Sequence, residues 1–238
     1  MKKYILINIL TILIFSVFNL FGQQISDKDY NHQLIHEDFN NESLYFPIIN
    51  NTENHFVLDN GDYLLIRNNN MSAHKIIANN SSSSNFILKT SIRIGPSRNK
   101  EASLGIILKA KEDKREAVIF EINSKGNYRI KKIKGSRHQI LTNNKNDGWV
   151  KNKVINKSDS NNDVEIRTEN NTFDVYVNNS YLTTFFAGDY TTGSSGFIIS
   201  SATKARVEYY YINEKDKEPE PSITNNKTKI LNKEISNT

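Results

Sequence analysis

"VEIRTENNTFDVYVNNSYL", residues 164–182, alternates apolar and polar positions and is broken twice by Asn-Asn. An alternation of period two is the signature of a half-buried β-strand, whereas a helix repeats near 3.6 residues. A two-residue type I′ hairpin needs positive φ at both central positions, which Asn tolerates better than any residue but Gly. Taking Asn170 and Asn171 as such a turn fixes the register. Val164 faces Val177, Glu165 faces Tyr176, Ile166 faces Val175 and Arg167 faces Asp174. Val164, Ile166, Thr168, Phe173, Val175 and Val177 then share one face, and Glu165, Arg167, Glu169, Asp174, Tyr176 and Asn178 share the other. A one-residue slip would scramble this separation. A second turn at Asn178 and Asn179 predicts Tyr181 opposite Tyr176, Leu182 opposite Val175 and Thr183 opposite Asp174. Arg167 and Asp174 become a directly opposed ion pair, worth ~0.2–1 kcal/mol if exposed.

The rest of the chain follows the same period. Further alternating runs cover 33–40, 55–58, 63–67, 75–78, 86–94, 103–110, 117–123, 128–134, 197–201 and 206–212. Many short strands, little helical pattern and abundant Asn at the breaks indicate an all-β, two-sheet antiparallel sandwich. In "YYY", Tyr209 and Tyr211 fall on one face and Tyr210 on the other. "GSSG" at 193–196 reads as a loop before the strand at Phe197.

The ends differ from this body. "MKKYILINILTILIFSVFNLFGQQ" pairs a basic start with an apolar run and a small residue, the pattern of a secretory signal peptide over 1–22. An uncleaved anchor is the competing reading, since a span needs ~20 apolar residues. Asn8, Thr11, Ser16 and Asn19 interrupt the run and favour cleavage. Residues 23–31 read as a short linker, 32–213 as one β-sandwich domain, and 214–238 as a charged, disordered tail with too little apolar surface to offset ordering. The 238 residues include no cysteine, which excludes disulfides, thiolate metal sites and a lipidated-Cys anchor. The formal charge of +5, falling to +3 without Lys2 and Lys3, is too mild to argue for nucleic acid.

"FDVYVNNSYL" resembles the i-x-V-Y-V-N-G-x-x-v hairpin of concanavalin A-like jelly rolls of the laminin-G type, with Asn179 in the usual Gly place. "DNGDYLLI" (59–66), "LGIILKAKED" (104–113, with Lys109 in an Arg place), "AVIFEI" followed by "GNYRI", and "GSSGFII" (193–199) resemble other strands of that fold in the same order. The chain is similar to bacterial secreted modules grouped with 3-keto-disaccharide hydrolases. The resemblance covers about residues 36–212. It implies a jelly-roll sandwich and, often, glycan binding, without fixing an activity.

β-Sandwich endoglucanases set two glutamates four residues apart with an Asp between them; here Glu165 and Glu169 flank Arg167. A retaining glycosidase needs a carboxyl pair ~5–5.5 Å apart with one proton. Strand positions four apart are ~13 Å apart at Cα, so this run reads as a polar sheet face. Asp159, Asn161 and Asp163 match the first ligands of an EF-hand, but Val164 stands where Gly is required and Asn170 where Glu is. An EF-hand is excluded, and a looser Ca²⁺ loop site is the remaining cofactor alternative to none. His32 and His36 share a strand face without a third ligand. The basic run "SKGNYRIKKIKGSRHQ" suits either a polyanion or a protected sheet edge. Trp149 could stack on a sugar or plug one end of the sandwich.

The sequence therefore predicts an exported, noncatalytic binding module, periplasmic, cell-surface or extracellular, for a glycan or an envelope or matrix partner. No stable membrane span is expected after cleavage. The candidate ligand-binding residues are Trp149, Glu165, Arg167, Asp174, Tyr176 and Tyr181. The alternatives are a glycoside hydrolase similar to the 3-keto-disaccharide hydrolases and a structural or assembly protein without a small ligand.

Overall fold

The computed structural model describes residues 24–68, 71–99, 101–113, 115–142 and 147–216. The segment 1–22, expected to be a signal peptide, and the residues beyond 216 lie outside the described residues. Among the described residues there are sixteen strands: β1 His32–Glu37, β2 Ile49–Asn50, β3 Asn54–Asp59, β4 Asp62–Arg67, β5 His74–Ile77, β6 Phe86–Ile94, β7 Ser103–Ala110, β8 Glu116–Asn123, β9 Asn127–Lys134, β10 Arg137–Ile140, β11 Val150–Lys151, β12 Asn161–Glu169, β13 Thr172–Val177, β14 Ser180–Phe186, β15 Ser194–Ile199 and β16 Thr203–Glu214. They form two antiparallel sheets. The first has the order β14-β13-β12-β6-β16-β4-β3-β2, with β1 also on β16; the second has β10-β9-β8-β7-β15-β5, with β11 also on β9. The fold is an all-β jelly-roll sandwich, as the alternation predicts.

The inner faces carry the core. Leu88, Ile166 and Phe173 from the first sheet meet Ile106, Phe120 and Phe197 from the second, all with at most 1% exposure. Burying each such side chain contributes about 1.5–3 kcal/mol. Tyr210 joins them, while Tyr209 and Tyr211 stack outside at 4.8 Å, as the strand period requires.

The β12–β13 hairpin has the predicted register, from Val164 opposite Val177 to Glu169 opposite Thr172. Both Asn-Asn turns have φ between 47° and 68°. The β13–β14 pairing departs from expectation. Tyr181 does face Tyr176, but a bulge at Leu182 sets Thr183 opposite Val175 and Thr184 opposite Asp174. A bulge adds one unpaired residue and carries no turn signal in the sequence.

Three further expectations are corrected. Residues 194–196 are not a loop but the start of β15. Gly196 is needed there because a Cβ would lie 2.1 Å from the Ile76 carbonyl oxygen. Residues 24–31 are not a free linker: Ile25 and Tyr30 are buried against Ile87, and the Tyr30 hydroxyl donates to the Thr168 carbonyl at 2.9 Å. At the other end, β16 runs through Glu214, and the Asp216 amide donates to the Asp29 carbonyl at 2.7 Å, so ordered contacts pass the expected boundary.

Candidate functional site

Strict alternation in β12, β13 and β6 sends Asp163, Glu165, Arg167, Tyr176 and Lys89 to the outer face of the first sheet. The registers Glu165–Tyr176 and Glu165–Lys89 bring three of them into one row. Glu165 accepts from Arg167 Nε at 2.5 Å through one oxygen and pairs with Lys89 Nζ at 3.4 Å through the other. The guanidinium lies 4.9 Å from the Tyr176 ring centre. Burial works against the Arg167 charge, but the Glu165 hydrogen bond and the Glu165 and Asp27 charges outweigh it and raise its pKa. In register, Tyr211 of β16 stands opposite Lys89 and ends the row, while Tyr209, opposite Ser91, reaches the cavity beside Asp163. Burial pushes the Tyr209 phenol up to about 12, with Asp163 adding to the shift, so it stays a neutral donor and acceptor.

These groups line an open cavity of about 320 Å³ made by Lys89, Asp163, Glu165, Arg167, Tyr176 and Tyr209. A second cavity of about 300 Å³ adjoins it through Lys89 and is lined by Asp27, Tyr30, His36 and Tyr211. His36 stacks on Tyr211 at 4.3 Å with ring planes 9° apart. Aromatic faces beside fixed polar groups are the composition of a small-ligand site.

The expected Arg167–Asp174 ion pair is absent. The two residues are opposed in register, but the segment docked above them takes both. Asp174, 2% exposed, accepts the Ile25 amide at 2.7 Å. Arg167 donates to the Ile25 carbonyl at 2.9 Å and pairs with Asp27 at 3.2 Å. Asp174 thus clamps the chain's own backbone. Tyr181 packs edge-on against Tyr176 at 5.7 Å and bonds Thr184, at the rim rather than in the cavity. Glu169 does not flank Arg167 but pairs with Lys215.

Trp149 is on the other sheet. Its ring lies 4.2 Å from the Arg129 guanidinium, and its indole N–H donates to Glu101 at 3.1 Å. Arg129 Nε and Lys131 Nζ both bind Glu121, 3% exposed, at 2.6 and 2.8 Å. This outer face is concave. Burial, Lys131 and then Lys75 lower the His138 pKa. His138 is on β10 and Lys75 on β5, opposite edges five strand steps or ~24 Å apart in a flat sheet. The outward side chains Ile107, Ile119, Ile133 and Ile198 form one buried cluster although no further layer among the described residues covers them, so the edges curl together. The floor is filled: a Cβ on Gly105 would meet Ile198 Cγ2 at 2.7 Å and Ile119 Cγ2 at 3.0 Å. Ile107 and Ile119 have no exposed area.

Sequence reasoning missed Lys89, Asp163 and Tyr209. Alternation in 86–94 already groups Lys89, Ser91 and Arg93 on one face, but nothing local says that β6 lies beside β12. Asn161 and Asp163 are in β12 rather than in a loop; Asn161 donates to Glu208, and the Asp159 amide donates to the Ile94 carbonyl. Among the described residues, no three His, Asp or Glu side chains converge as a metal site, and no helix is long and apolar enough to cross a membrane.

No family model matches the chain, and no curated protein does. Solved structures do. The carbohydrate-binding module CBM66 from Bacillus subtilis aligns with a TM-score of 0.53 at 10% identity, over 63% of this chain and 86% of that one. A sialidase aligns at 0.55 and 14% identity over 78% of this chain, which spans only 19% of the sialidase. The Bacillus licheniformis beta-glucanase aligns at 0.54 and 10% identity, over 78% of this chain and 99% of that one. At such identities the likeness is one of fold: this chain has the jelly-roll sandwich of these structures.

Proposed function

We propose that the chain is an exported, noncatalytic glycan-binding module, and that the outer face of the first sheet is its binding surface. The observation that carries this reading is the open cavity in which the Tyr176 and Tyr209 side chains flank the paired Lys89, Glu165 and Arg167. A sugar ring offers an apolar C–H face to an aromatic side chain and a rim of hydroxyls to fixed donors and acceptors. Lys89 Nζ has donors beyond its Glu165 contact, and Glu165 has lone pairs beyond its two cations. Glycan names among the fold neighbours, a carbohydrate-binding module and a beta-glucanase, agree with this choice.

One observation favours the hydrolase alternative, of the kind suggested by the 3-keto-disaccharide hydrolase resemblance. Asp163 and Glu165 line the same cavity, and same-face strand positions two apart are ~6.6 Å apart at Cα, near the separation of a glycosidase pair. Against it, both oxygens of Glu165 are held by cations.

Affinity electrophoresis across a panel of polysaccharides tests the binding reading. Retardation by at least one polysaccharide, lost in Tyr176→Ala, is the expected result; no retardation by any would reject it. Release of reducing sugar that disappears in Glu165→Gln would replace it with the hydrolase reading.

A further inference from the structure

A sheet edge is an unpaired row of N–H and C=O groups, and natural sheets protect it by shortness, charge or irregularity. Most edges here are protected. β2 has two residues. β5 has four and carries Lys75. β10 has four, with Arg137 and His138. β1 carries two histidines and the inward-pointing, buried Glu37. β14 differs from all of them. It is seven residues long, "SYLTTFF", with no charged residue and no proline. Among the described residues, no backbone hydrogen bond joins Ser180–Phe186 to any strand but β13. Its outer face presents Tyr181 at 47% and Phe186 at 65% exposure, two of the four large apolar side chains most exposed among the described residues.

The geometry points to β14 as a self-association edge: a second copy of this chain adds its own β14 antiparallel to it, joining two first sheets into one continuous sheet. A two-fold contact brings the same strand from each copy together, so a charge near its centre would lie beside its own copy; β14 has none to repel. β1, β5 and β10 carry charged residues or histidines, and β2 is only two residues long. Strand addition supplies main-chain hydrogen bonds, and the exposed side chains supply the apolar contact. Tyr181 packs on Tyr176, so the joined sheet carries two Tyr176–Tyr181 rows toward the shared edge. The inference does not depend on what the cavities bind.

The test uses the chain recovered after export. Sedimentation equilibrium from about 1 to about 500 μM should show a monomer–dimer equilibrium, and Phe186→Lys should weaken it about tenfold or more. Hydrogen exchange at 180–186 should slow as protein concentration rises, a readout on the unaltered chain that stands even if the variant folds poorly. A monomer at every concentration would overturn the inference. So would a dimer indifferent to Phe186→Lys, or protection of 180–186 independent of concentration, which would mean that another segment of the same chain covers the edge.

Discussion

Two arginines have nearly the same surroundings on opposite faces of the sandwich. Arg129 is shared between Glu121 and Glu101 and lies 4.2 Å from the Trp149 ring centre. Arg167 is shared between Glu165 and Asp27 and lies 4.9 Å from that of Tyr176. What differs is the sheet beneath. The second sheet curls, its outward isoleucines converge, and the Arg129 cluster closes over a filled floor with Glu121 3% exposed. The first sheet leaves the Arg167 cluster at the wall of an open cavity of about 320 Å³. The same ion-pair chemistry is thus closed over on the concave face and open to solvent on the other.

The largest effect expected from this contrast is at Glu121. Its removal leaves Lys131 partly buried without its carboxylate and Arg129 with Glu101 alone, and breaking such a buried pair costs about 3–5 kcal/mol. Denaturant unfolding of Glu121→Ala should show a loss of that size; a loss below 1 kcal/mol would mean that the concave face is as open as the other.

Lys109 supplies a control between the faces. Its side chain has no exposed area and its ammonium lies 5.0 Å from the Phe173 ring centre, without a hydrogen-bond partner. Burial lowers its pKa to about 8 from 10.5. The folded state holds this proton less tightly than the unfolded chain, so stability rises with pH between about 8 and 10.5, by roughly 3 kcal/mol. Lys109→Met should be more stable than the parent at pH 7, lose that rise, and leave glycan binding unchanged. A flat parent profile over this window would place the charge in contact with water.

At Glu165 the balance reverses. The residue is about a quarter exposed, and its ion pairs should contribute no more than about 1 kcal/mol to stability. Glu165→Ala should unfold almost as the parent does yet bind glycan about tenfold more weakly or worse, measured by titration calorimetry.

How far these regions could be read in the sequence depends on whether their cause is local. The Asn-Asn turns act within four residues, so the register of 164–177 and the split of Tyr209, Tyr210 and Tyr211 were legible. Lys109 was not. Alternation sends it outward beside the inward Leu108, but a bulge at φ 52° turns both inward. The Arg167–Asp174 pairing failed because its competitor, the backbone of Ile25, comes from about 140 residues away, a separation on which local periodicity is silent. The concavity of the second sheet arises from strand order and from its two edges, and no single segment encodes it. β2 and β11, two residues each, were too short for alternation to mark, and β10, "RHQI", does not alternate.

The central claim is that ligand binding belongs to the first sheet's outer face and not to the concave face. Its most direct test is the affinity of Tyr176→Ala and Trp149→Ala for the same retarding polysaccharide, measured side by side on folded protein. Tyr176→Ala should lose binding while Trp149→Ala keeps it within about twofold. Loss in Trp149→Ala with binding intact in Tyr176→Ala would contradict the claim and move the site to the concave sheet.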